Sequence, residues 1–285
     1  VQLYSHYSVG YFCKLFGKTR QAFYEQKNNP VHHHLQETLV LKLVAEIRKE
    51  LPRCGTEKLH FMLQATFAEH GIKMGRDALY DLLGRHGFLI RFRRRKPYTT
   101  NANHPYRKYP NRILDLPVTG PNQVWHGDVT YLKVSGAWRY LAVIIDRFSR
   151  RVVGWSIANH RTAKLTIAAL QHAMRMRRPA AGLHFHSDRG IEFASLEFKA
   201  KLRQHGFVQS MNRASHINDN AYIETFFHSL KIEGLFRMKF EADKTLRDEV
   251  VSYIQFYNQQ RLHSSIGYLP PAVFERQYLT HAAVH

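Results

Sequence analysis

The sequence predicts an α/β domain, in which helices cover a mixed sheet, preceded by a smaller all-helical region. From Val124 onwards, three strand-like runs at 123–134, 138–146 and 152–158 follow one another and then give way to alternating helical and strand-like segments. Before residue 97, apolar residues recur at helical spacing instead. The chain has 285 residues, 44% of them hydrophobic, which is enough for two units with cores of their own.

The chain is strongly basic. It has 42 Lys and Arg against 22 Asp and Glu, a formal net charge of +20, and both halves share the excess. Such an excess costs self-repulsion and is typical of proteins that bind a polyanion, most often nucleic acid. No apolar run approaches the ~20 residues of a membrane span, and no signal-peptide pattern is visible. We therefore expect a globular protein whose partner is nucleic acid.

Cysteine and histidine usage argues against a disulfide framework and against zinc. Only Cys13 and Cys54 occur, and they lie far apart, which fits a reducing compartment such as the cytoplasm. The run His32-His33-His34 raises the possibility of a metal site, but zinc ligands come in closely spaced pairs and neither cysteine has such a partner. Because the chain starts at Val1 rather than Met, we expect an unusual start codon or a longer product.

Residues 1–30 are predicted to form a helix-turn-helix. Apolar residues at helical spacing stop at Gly17, and Thr19 can cap a second helix. That helix opens with Lys18, Arg20 and Gln21, side chains that can reach phosphates and base edges in a major groove. A plain helical hairpin remains an alternative because the pattern is short.

Residues 31–96 are predicted to be a helical DNA-binding region. Three helices are expected, and their apolar markers are Leu39, Leu43, Ile47 and Leu51; Leu59, Leu63 and Phe67; and Ala78, Leu79, Leu82 and Leu83. Gly71 and Gly87 end the second and third. The region closes with a basic cluster, Arg91, Arg93, Arg94, Arg95 and Lys96, which we expect to contact a phosphate backbone.

Residues 97–121 contain little that could pack in a core, so we interpret them as a linker that follows the phosphate backbone. The α/β domain is predicted over 122–275, with a tail at 276–285. Ser135-Gly136 is the predicted hairpin turn between its first two strands. The later elements are expected as helices over 162–176, 195–205, 221–233 and 245–258, and as short strands over 183–186 and 207–210.

Three carboxylates of this domain lie at positions that are unusual for acidic residues exposed on a protein surface. Asp128 lies in mid-strand, where Asp is disfavoured and where apolar neighbours make its charge costly without a partner. Asp188 directly follows a short strand, and ligand sites of α/β sheets form at such strand ends. Glu224 lies on the helix 221–233.

That helix is predicted to be amphipathic. Ile223, Phe227 and Leu230 form its apolar stripe, and Glu224, His228 and Lys231 form a polar stripe beside it. Asp219 or Asn220 can cap its first turn. On its own, the polar stripe fits an ordinary salt-bridged surface as well as an active-site edge.

Carboxylates that converge from a strand centre, a strand end and a helix make an all-oxygen site. Such a site suits Mg²⁺ or Mn²⁺, and paired metal ions can activate a hydroxyl and stabilise the leaving oxygen of a phosphodiester. Asp146 is a weaker candidate ligand at a strand end. We expect Glu192 to orient the loop after Asp188, and Glu233 to point away from Glu224 by the helical repeat.

The order and spacing of these residues match a known signature. Asp128, Asp188 and Glu224, with 35 residues between the last two, resemble the Asp-Asp-(35)-Glu pattern of the retroviral-integrase superfamily. The surrounding sequence resembles the second-frame product (OrfB) of two-reading-frame bacterial insertion-sequence transposases. The matching blocks are Trp125…Asp128-Val129-Thr130-Tyr131, Tyr140 to Asp146, Ser149-Arg150…Val153-Gly154-Trp155, His186 to Gly190, Asp219 to Glu233, and Tyr257-Asn258…Arg261…His263.

The resemblance implies a ribonuclease-H-like core with a mixed five-stranded sheet, in which Asp128, Asp188 and Glu224 hold two Mg²⁺ ions, replaceable by Mn²⁺. It implies cleavage of DNA at transposon ends and strand transfer by a 3′-hydroxyl into target DNA. It also implies at least a dimer on paired ends, an OrfA portion fused by frameshifting, work at the bacterial nucleoid, and a contact of Lys231 with a terminal phosphate. One departure is Ile191-Glu192-Phe193, where the family commonly has Ser-Gln-Tyr.

Two other functions remain open at this stage. The chain could be a sequence-specific DNA-binding regulator whose α/β domain is only a scaffold, although an unused acidic cluster would then be an electrostatic liability. It could also be a ribonuclease-H-type nuclease acting on RNA–DNA hybrids, which shares the metal chemistry but does not need residues 1–120.

Overall fold

The computed structural model describes residues 8–22, 30–90, 105–214, 216–236 and 238–282. The chain divides into an amino-terminal unit, Val1–Phe92, and a carboxy-terminal unit, Arg93–His285. No helix in the described ranges is both long and apolar enough to cross a membrane.

The amino-terminal unit is helical. Its helices are α1 (Val9–Leu15), α2 (Pro30–Glu50), α3 (Thr56–Glu69) and α4 (Arg76–Arg85), and a further helix begins at Arg20. Gly17, at φ +62°, ends α1 with the Lys18 N–H donating to the Cys13 carbonyl. Thr19 Oγ1 accepts from the Ala22 N–H at 3.1 Å, so the expected cap is confirmed. The rest of that second helix falls on residues 23–29, outside the described residues.

The core of this unit joins α2, α3 and α4. As expected, Leu59, Leu63, Phe67, Leu79, Leu82 and Leu83 are buried. On α2, however, the predicted stripe Leu39, Leu43, Ile47 and Leu51 is only half-buried, whereas Val40 and Val44 are fully buried. The predicted stripe does pack against the core, and Val40 and Val44 beside it are the residues buried most deeply. Ala78 is exposed.

The carboxy-terminal unit is built on a mixed sheet of five strands, ordered β3-β2-β1-β4-β5. The strands are β1 (Val124–Val134), β2 (Ala137–Asp146), β3 (Val152–Ala158), β4 (His184–Ser187) and β5 (Val208–Met211). β1 to β3 are antiparallel neighbours, while β4 pairs in parallel with both β1 and β5. Ser135 and Gly136, at φ +46° and +82°, form the predicted two-residue hairpin turn.

Helices cover both faces of this sheet. They are α5 (Ala163–Arg177), α6 (Ile191–Ala194), α7 (Leu196–Gln204), α8 (Ala221–Ser229), α9 (Asp243–Gln259) and α10 (Pro271–Ala282). Strand residues alternate between two cores: Leu141, Val143 and Ile145 pack with α8 and α9, whereas Ala142 and Ile144 pack with α5 and α7. The expected layered α/β architecture is confirmed, and it is the ribonuclease-H-like arrangement.

Two predicted ends were wrong. The predicted tail, 276–285, is helical as far as Ala282, because α10 begins at Pro271 and runs through it; proline is favoured at the first helical position, where no amide donor is needed. Glu275 then fastens α10 to the unit through Arg177 and Arg151. The helix predicted over 221–233 is α-helical only to Ser229 and continues as a π-helical turn, Leu230–Gly234.

The described part of the predicted linker packs against the sheet. The Arg112 N–H donates to Ser210 Oγ at 2.9 Å, Arg147 Nη1 donates to the Ile113 carbonyl at 2.9 Å, and the Ile113 side chain is buried. The expectation that this segment contains little that could pack was wrong for residues 105–121, because backbone groups and one isoleucine are enough to dock it.

Candidate active site

Asp128 and Asp188 lie on neighbouring strands. β1 and β4 run in parallel with Gly127 opposite Ser187, so the residues that follow this pair, Asp128 and Asp188, emerge side by side. Asp188 stands where β4 ends, the position at which open α/β sheets bind ligands. The structure therefore brings together two carboxylates that lie 60 positions apart in the sequence.

Local backbone contacts orient both carboxylates. Asp128 Oδ1 accepts from the Val129 N–H at 2.7 Å, and Asp188 Oδ1 accepts from the Gly190 N–H at 2.9 Å. The glycine before Asp128 has a packing cause, since a Cβ on Gly127 would lie 2.5 Å from Phe185 Cζ. Strand β1 can thus sit on Phe185 while presenting Asp128 to the other face.

Glu224 reaches the site from α8. The predicted apolar stripe Ile223, Phe227 and Leu230 is buried, as is Phe226, and Glu224, His228 and Lys231 are exposed on the neighbouring stripe. The amphipathic prediction is confirmed.

The start of α8 is tied to β1 by Asn220. Its Oδ1 accepts from His126 Nδ1 at 2.9 Å, and its Nδ2 lies 3.5 Å from the Gly127 carbonyl. Neither Asn220 nor Asp219 caps α8 with its side chain, so that prediction was wrong. Asp219 is occupied instead by Asn111 Nδ2 and by the Arg213 guanidinium and N–H. A distant partner thus outcompetes the local cap and links the helix of Glu224 to the strand of Asp128.

The three carboxylates are linked by their electrostatic interactions. Burial raises the pKa of Asp128 well above its usual range, and the charges of Asp188 and Glu224 raise it further. Burial and the charge of Asp188 likewise raise the pKa of Glu224. Partial desolvation of the ammonium lowers the pKa of Lys231 although much of its side chain is exposed, and the charge of Asp128 partly offsets this shift. The cluster is a concentration of negative charge that a cation would relieve.

The donors suit a hard divalent cation. Carboxylate oxygens are the ligands that Mg²⁺ and Mn²⁺ prefer, and the mutual repulsion of this set is relieved by positive charge. As the side chains lie, no three His, Cys, Asp or Glu residues of the described ranges form a ready-made coordination sphere.

The competing carboxylates have other partners. Asp146 is buried and accepts from the Asn122 N–H and from the N–H and hydroxyl of Ser149, so it ties the ends of β1 and β2 to a turn. Glu233 binds Arg261 at 2.6 and 2.8 Å. Glu192 pairs with Arg161 beside Asp188.

Two buried histidines lie next to the carboxylates, His126 on β1 and His186 on β4. His186 hydrogen bonds Ser210 Oγ and Asn212 Oδ1, each at 2.8 Å, and its ring lies 5.1 Å from that of His126. Burial lowers the pKa of His126 to about 3 and that of His186 to about 4, so both rings are neutral at pH 7. Sequence reasoning missed His126, His186, Asn220 and Arg161, because their partners are remote in the chain and no local pattern marks them.

The predicted DNA-binding residues lie in three places. Lys18, Arg20 and Gln21 are exposed in the amino-terminal unit, and the Arg20 guanidinium covers Gly10. Lys231 lies on the π-helical turn after α8. The basic cluster Arg91, Arg93, Arg94, Arg95 and Lys96 falls outside the described residues.

The chain is similar to proteins of mobile DNA. Two family models, both described as Integrase core domain, match residues 118–216 and 205–271. The "Insertion element IS600 uncharacterized 31 kDa protein" of Shigella sonnei is 36% identical over 280 residues, which is 95% of this chain and 100% of that protein. "Transposase InsF for insertion sequence IS3fB" of Escherichia coli K12 is 42% identical over 166 residues, 58% of each chain.

A solved structure with a similar fold is the HTLV-2 integrase catalytic core domain in complex with magnesium, in its trimeric form. It is 22% identical, with a TM-score of 0.44, and covers 55% of this chain and 97% of that one.

Proposed function

Because the chain belongs to the IS3-family insertion-sequence transposases of the retroviral integrase superfamily, we propose that Asp128, Asp188 and Glu224 are its catalytic residues. The protein is a DNA transposase, a polynucleotidyl transferase of the Asp-Asp-Glu class that depends on divalent metal ions. We propose that Mg²⁺ is that ion and that the three carboxylates hold two of them. What supports this proposal is the parallel register of β1 and β4, which sets Asp128 beside Asp188. The charges of Asp188 and Glu224 also oppose the ionisation of Asp128.

The residues of the chain have separate tasks in this proposal. Bound metal ions would supply the activation of an attacking hydroxyl and the stabilisation of the leaving oxygen of a phosphodiester. Asp128 and Asp188 are held by strands and by backbone N–H donors, and Glu224 is placed by the contact of Asn220 with His126. Lys231, on the π-helical turn after α8, would contact a terminal phosphate of the transposon end.

We also propose how the remaining residues engage DNA. Residues 1–30 and 31–96 would bind the terminal repeats, with Lys18 just before the second helix, Arg20 and Gln21 at its start, and Arg91, Arg93, Arg94, Arg95 and Lys96 along the phosphate backbone. Two transposon ends must meet before joining, so we expect at least a dimer on DNA. An OrfA portion fused upstream and work at the nucleoid belong to the same proposal.

The test is an assay of cleavage and strand transfer with duplexes that carry a transposon end. Asp128→Asn, Asp188→Asn and Glu224→Gln should abolish both reactions in Mg²⁺ while DNA binding persists, because each change removes a charged ligand and leaves the DNA-binding helices intact. Asp248→Asn, a change at an exposed ion pair on α9, is the matched control and should keep activity. Strand transfer by the Asp188→Asn protein would contradict the proposal.

The same assay separates the alternatives. A DNA-binding regulator would bind the ends without incising them. A ribonuclease-H-type nuclease would cleave the RNA strand of an RNA–DNA hybrid in preference to the duplex, and it would do so without residues 1–120.

A further inference from the structure

Glu192 is a buried carboxylate that the proposed reaction does not use. It lies on α6, four positions after Asp188, and its side chain is 1% exposed. Arg161 lies two residues before the start of α5, and it donates to Oε1 of Glu192 from Nε at 2.8 Å and from Nη2 at 2.5 Å. The other oxygen, Oε2, is buried and accepts no hydrogen bond from another residue in the described part of the chain.

Glu192 is a neighbour of the proposed metal ligands. A Cβ built on Gly190 would lie 2.9 Å from Asp188 Oδ1 and 3.0 Å from Glu192 Oε1, so both carboxylates flank the same point. The charge of Glu192 also opposes the ionisation of Asp128. A fourth carboxylate therefore adjoins the cluster, and its negative charge would add to a repulsion that is already large.

Arg161 connects this carboxylate to the strand of Asp128. Its Nη1 donates to the Tyr131 hydroxyl, and its guanidinium lies 5.4 Å from the centre of the Tyr131 ring. Tyr131 is on β1, three residues after Asp128. The Arg161 side chain, only 16% exposed, thus spans from β1 to the loop that carries Asp188. One cation and one anion together add no net charge beside the cluster.

We propose that Glu192 and Arg161 are a charge-balanced positioning pair, which sets the affinity of the Asp128–Asp188 site for divalent cations through the net charge beside it. This inference rests on the proposed function, since it assumes that the triad binds the cation. Neither residue is assigned as a ligand. Glu192 would act on the cation through its charge.

The charges make the test directional. With both residues present, the pair contributes zero; Glu192→Gln leaves +1 beside the site, Arg161→Gln leaves −1, and the double variant returns to zero. Charge next to a divalent cation changes its binding through Coulomb interaction. We expect Mn²⁺, titrated into the full chain and followed by the electron paramagnetic resonance of the free ion, to bind on the order of tenfold more weakly to Glu192→Gln and tenfold more tightly to Arg161→Gln. The double variant should bind like the wild type.

A merely structural ion pair would behave differently. Both single variants would then lose stability without opposite shifts in Mn²⁺ affinity, and that result would overturn the proposal. If Arg161→Gln does not fold, Glu192→Gln and the double variant still test the proposal. Weaker Mn²⁺ binding by Glu192→Gln that returns to the wild-type level in the double variant supports it. Mn²⁺ binding that stays weak in the double variant, or that is not weakened in Glu192→Gln, refutes it. Lys244→Gln with Asp248→Asn, an exposed pair on α9, is the matched control and should leave affinity unchanged.

Asp188→Asn separates this inference from the proposed function. If that variant still binds Mn²⁺ like the wild type, the triad is not the metal site and the proposed function fails. If it loses Mn²⁺ while the Glu192 and Arg161 variants show no opposite shifts, only the positioning pair is refuted.

Discussion

Asp128 carries its charge on a central strand, half-buried, where Asp188 and Glu224 oppose its ionisation. A site of this kind is a local cost to folding that function requires, since the same repulsion attracts a divalent cation. The neutral histidines His126 and His186 are sensitive to positive charge instead, because their protonation would place a cation in a buried hydrogen-bond network and destabilise the fold. Both features lead to measurable effects of single substitutions and of pH.

Asp128→Asn should stabilise the metal-free protein. Its carboxyl has a raised pKa, so the charged form is disfavoured in the folded state at neutral pH, and a neutral amide of the same shape removes that cost. We expect about 1 kcal/mol, or roughly 2–4 °C in Tm, in thermal unfolding with EDTA. Mg²⁺ should then raise the Tm of the wild type but not of the variant. A lower Tm of the variant in EDTA would contradict this account.

Acid should destabilise the carboxy-terminal unit through His126 and His186. Their folded-state pKa values, about 3 and about 4, lie below the unfolded value near 6.5. Between these limits the unfolded state binds more protons, so stability falls as pH falls below about 6.5. Urea unfolding at pH 7 and pH 5 should show a loss on the order of 1–2 kcal/mol per histidine. His126→Gln should make the pH dependence shallower, and an unchanged slope would exclude His126 as a cause.

At the scale of elements, α8 is fixed at both ends. Asn220 attaches its start to β1. At its other end, Arg261 donates to Ser229 Oγ and to both oxygens of Glu233, while the Tyr253 hydroxyl also donates to Glu233. These contacts hold the π-helical turn that carries Lys231, and π-helical turns occur often at functional sites. The helix of Glu224 is thereby positioned by residues that touch neither metal nor DNA.

Arg261→Met should therefore weaken both stability and catalysis. It removes the cation beside the largely buried Glu233 charge and leaves only the Tyr253 hydroxyl, and breaking such an ion pair costs up to about 3–5 kcal/mol. Urea unfolding measures this loss, and strand-transfer assays should show a lower rate at equal DNA binding. Adding Glu233→Gln should recover part of the stability, because the isolated charge is removed. If the double variant were no more stable than Arg261→Met, the loss would not arise from the unpaired carboxylate.

At the scale of the whole molecule, a chain with a net charge of +20 contains a local cluster of negative charge at its proposed active site. The positive charge attracts DNA over the whole chain, while the carboxylate cluster repels phosphate unless a divalent cation bridges the two. Binding of DNA and reaction at the site are therefore separable, the first governed by ionic strength and the second by the metal.

DNA affinity should fall steeply with salt. A protein that neutralises six to ten phosphates loses about 10³–10⁵ in affinity between 50 and 200 mM salt. Fluorescence anisotropy with an end-containing duplex should show this slope, and Asp188→Asn should show the same slope because its charge lies outside the proposed backbone contacts. An affinity insensitive to salt would mean that the basic residues do not contact phosphates.

The sequence alone determined the alternation of the strands, the Ser135-Gly136 turn, the amphipathic α8 and the three carboxylates as candidates. These features follow from local rules. Side-chain direction repeats every two residues in a strand and every 3.6 in a helix, and an aspartate within a strand stands out because strands disfavour it.

Only the tertiary structure decided which distant groups meet. Asn220 binds His126 across 94 positions instead of capping α8, Arg161 pairs with Glu192, and Glu275 fastens α10, which extends into the predicted tail. The packing of whole helices and strands determines these partners, because a hydrogen bond to a remote residue can replace a local one of similar strength. The periodicity of the sequence carries no information about that replacement.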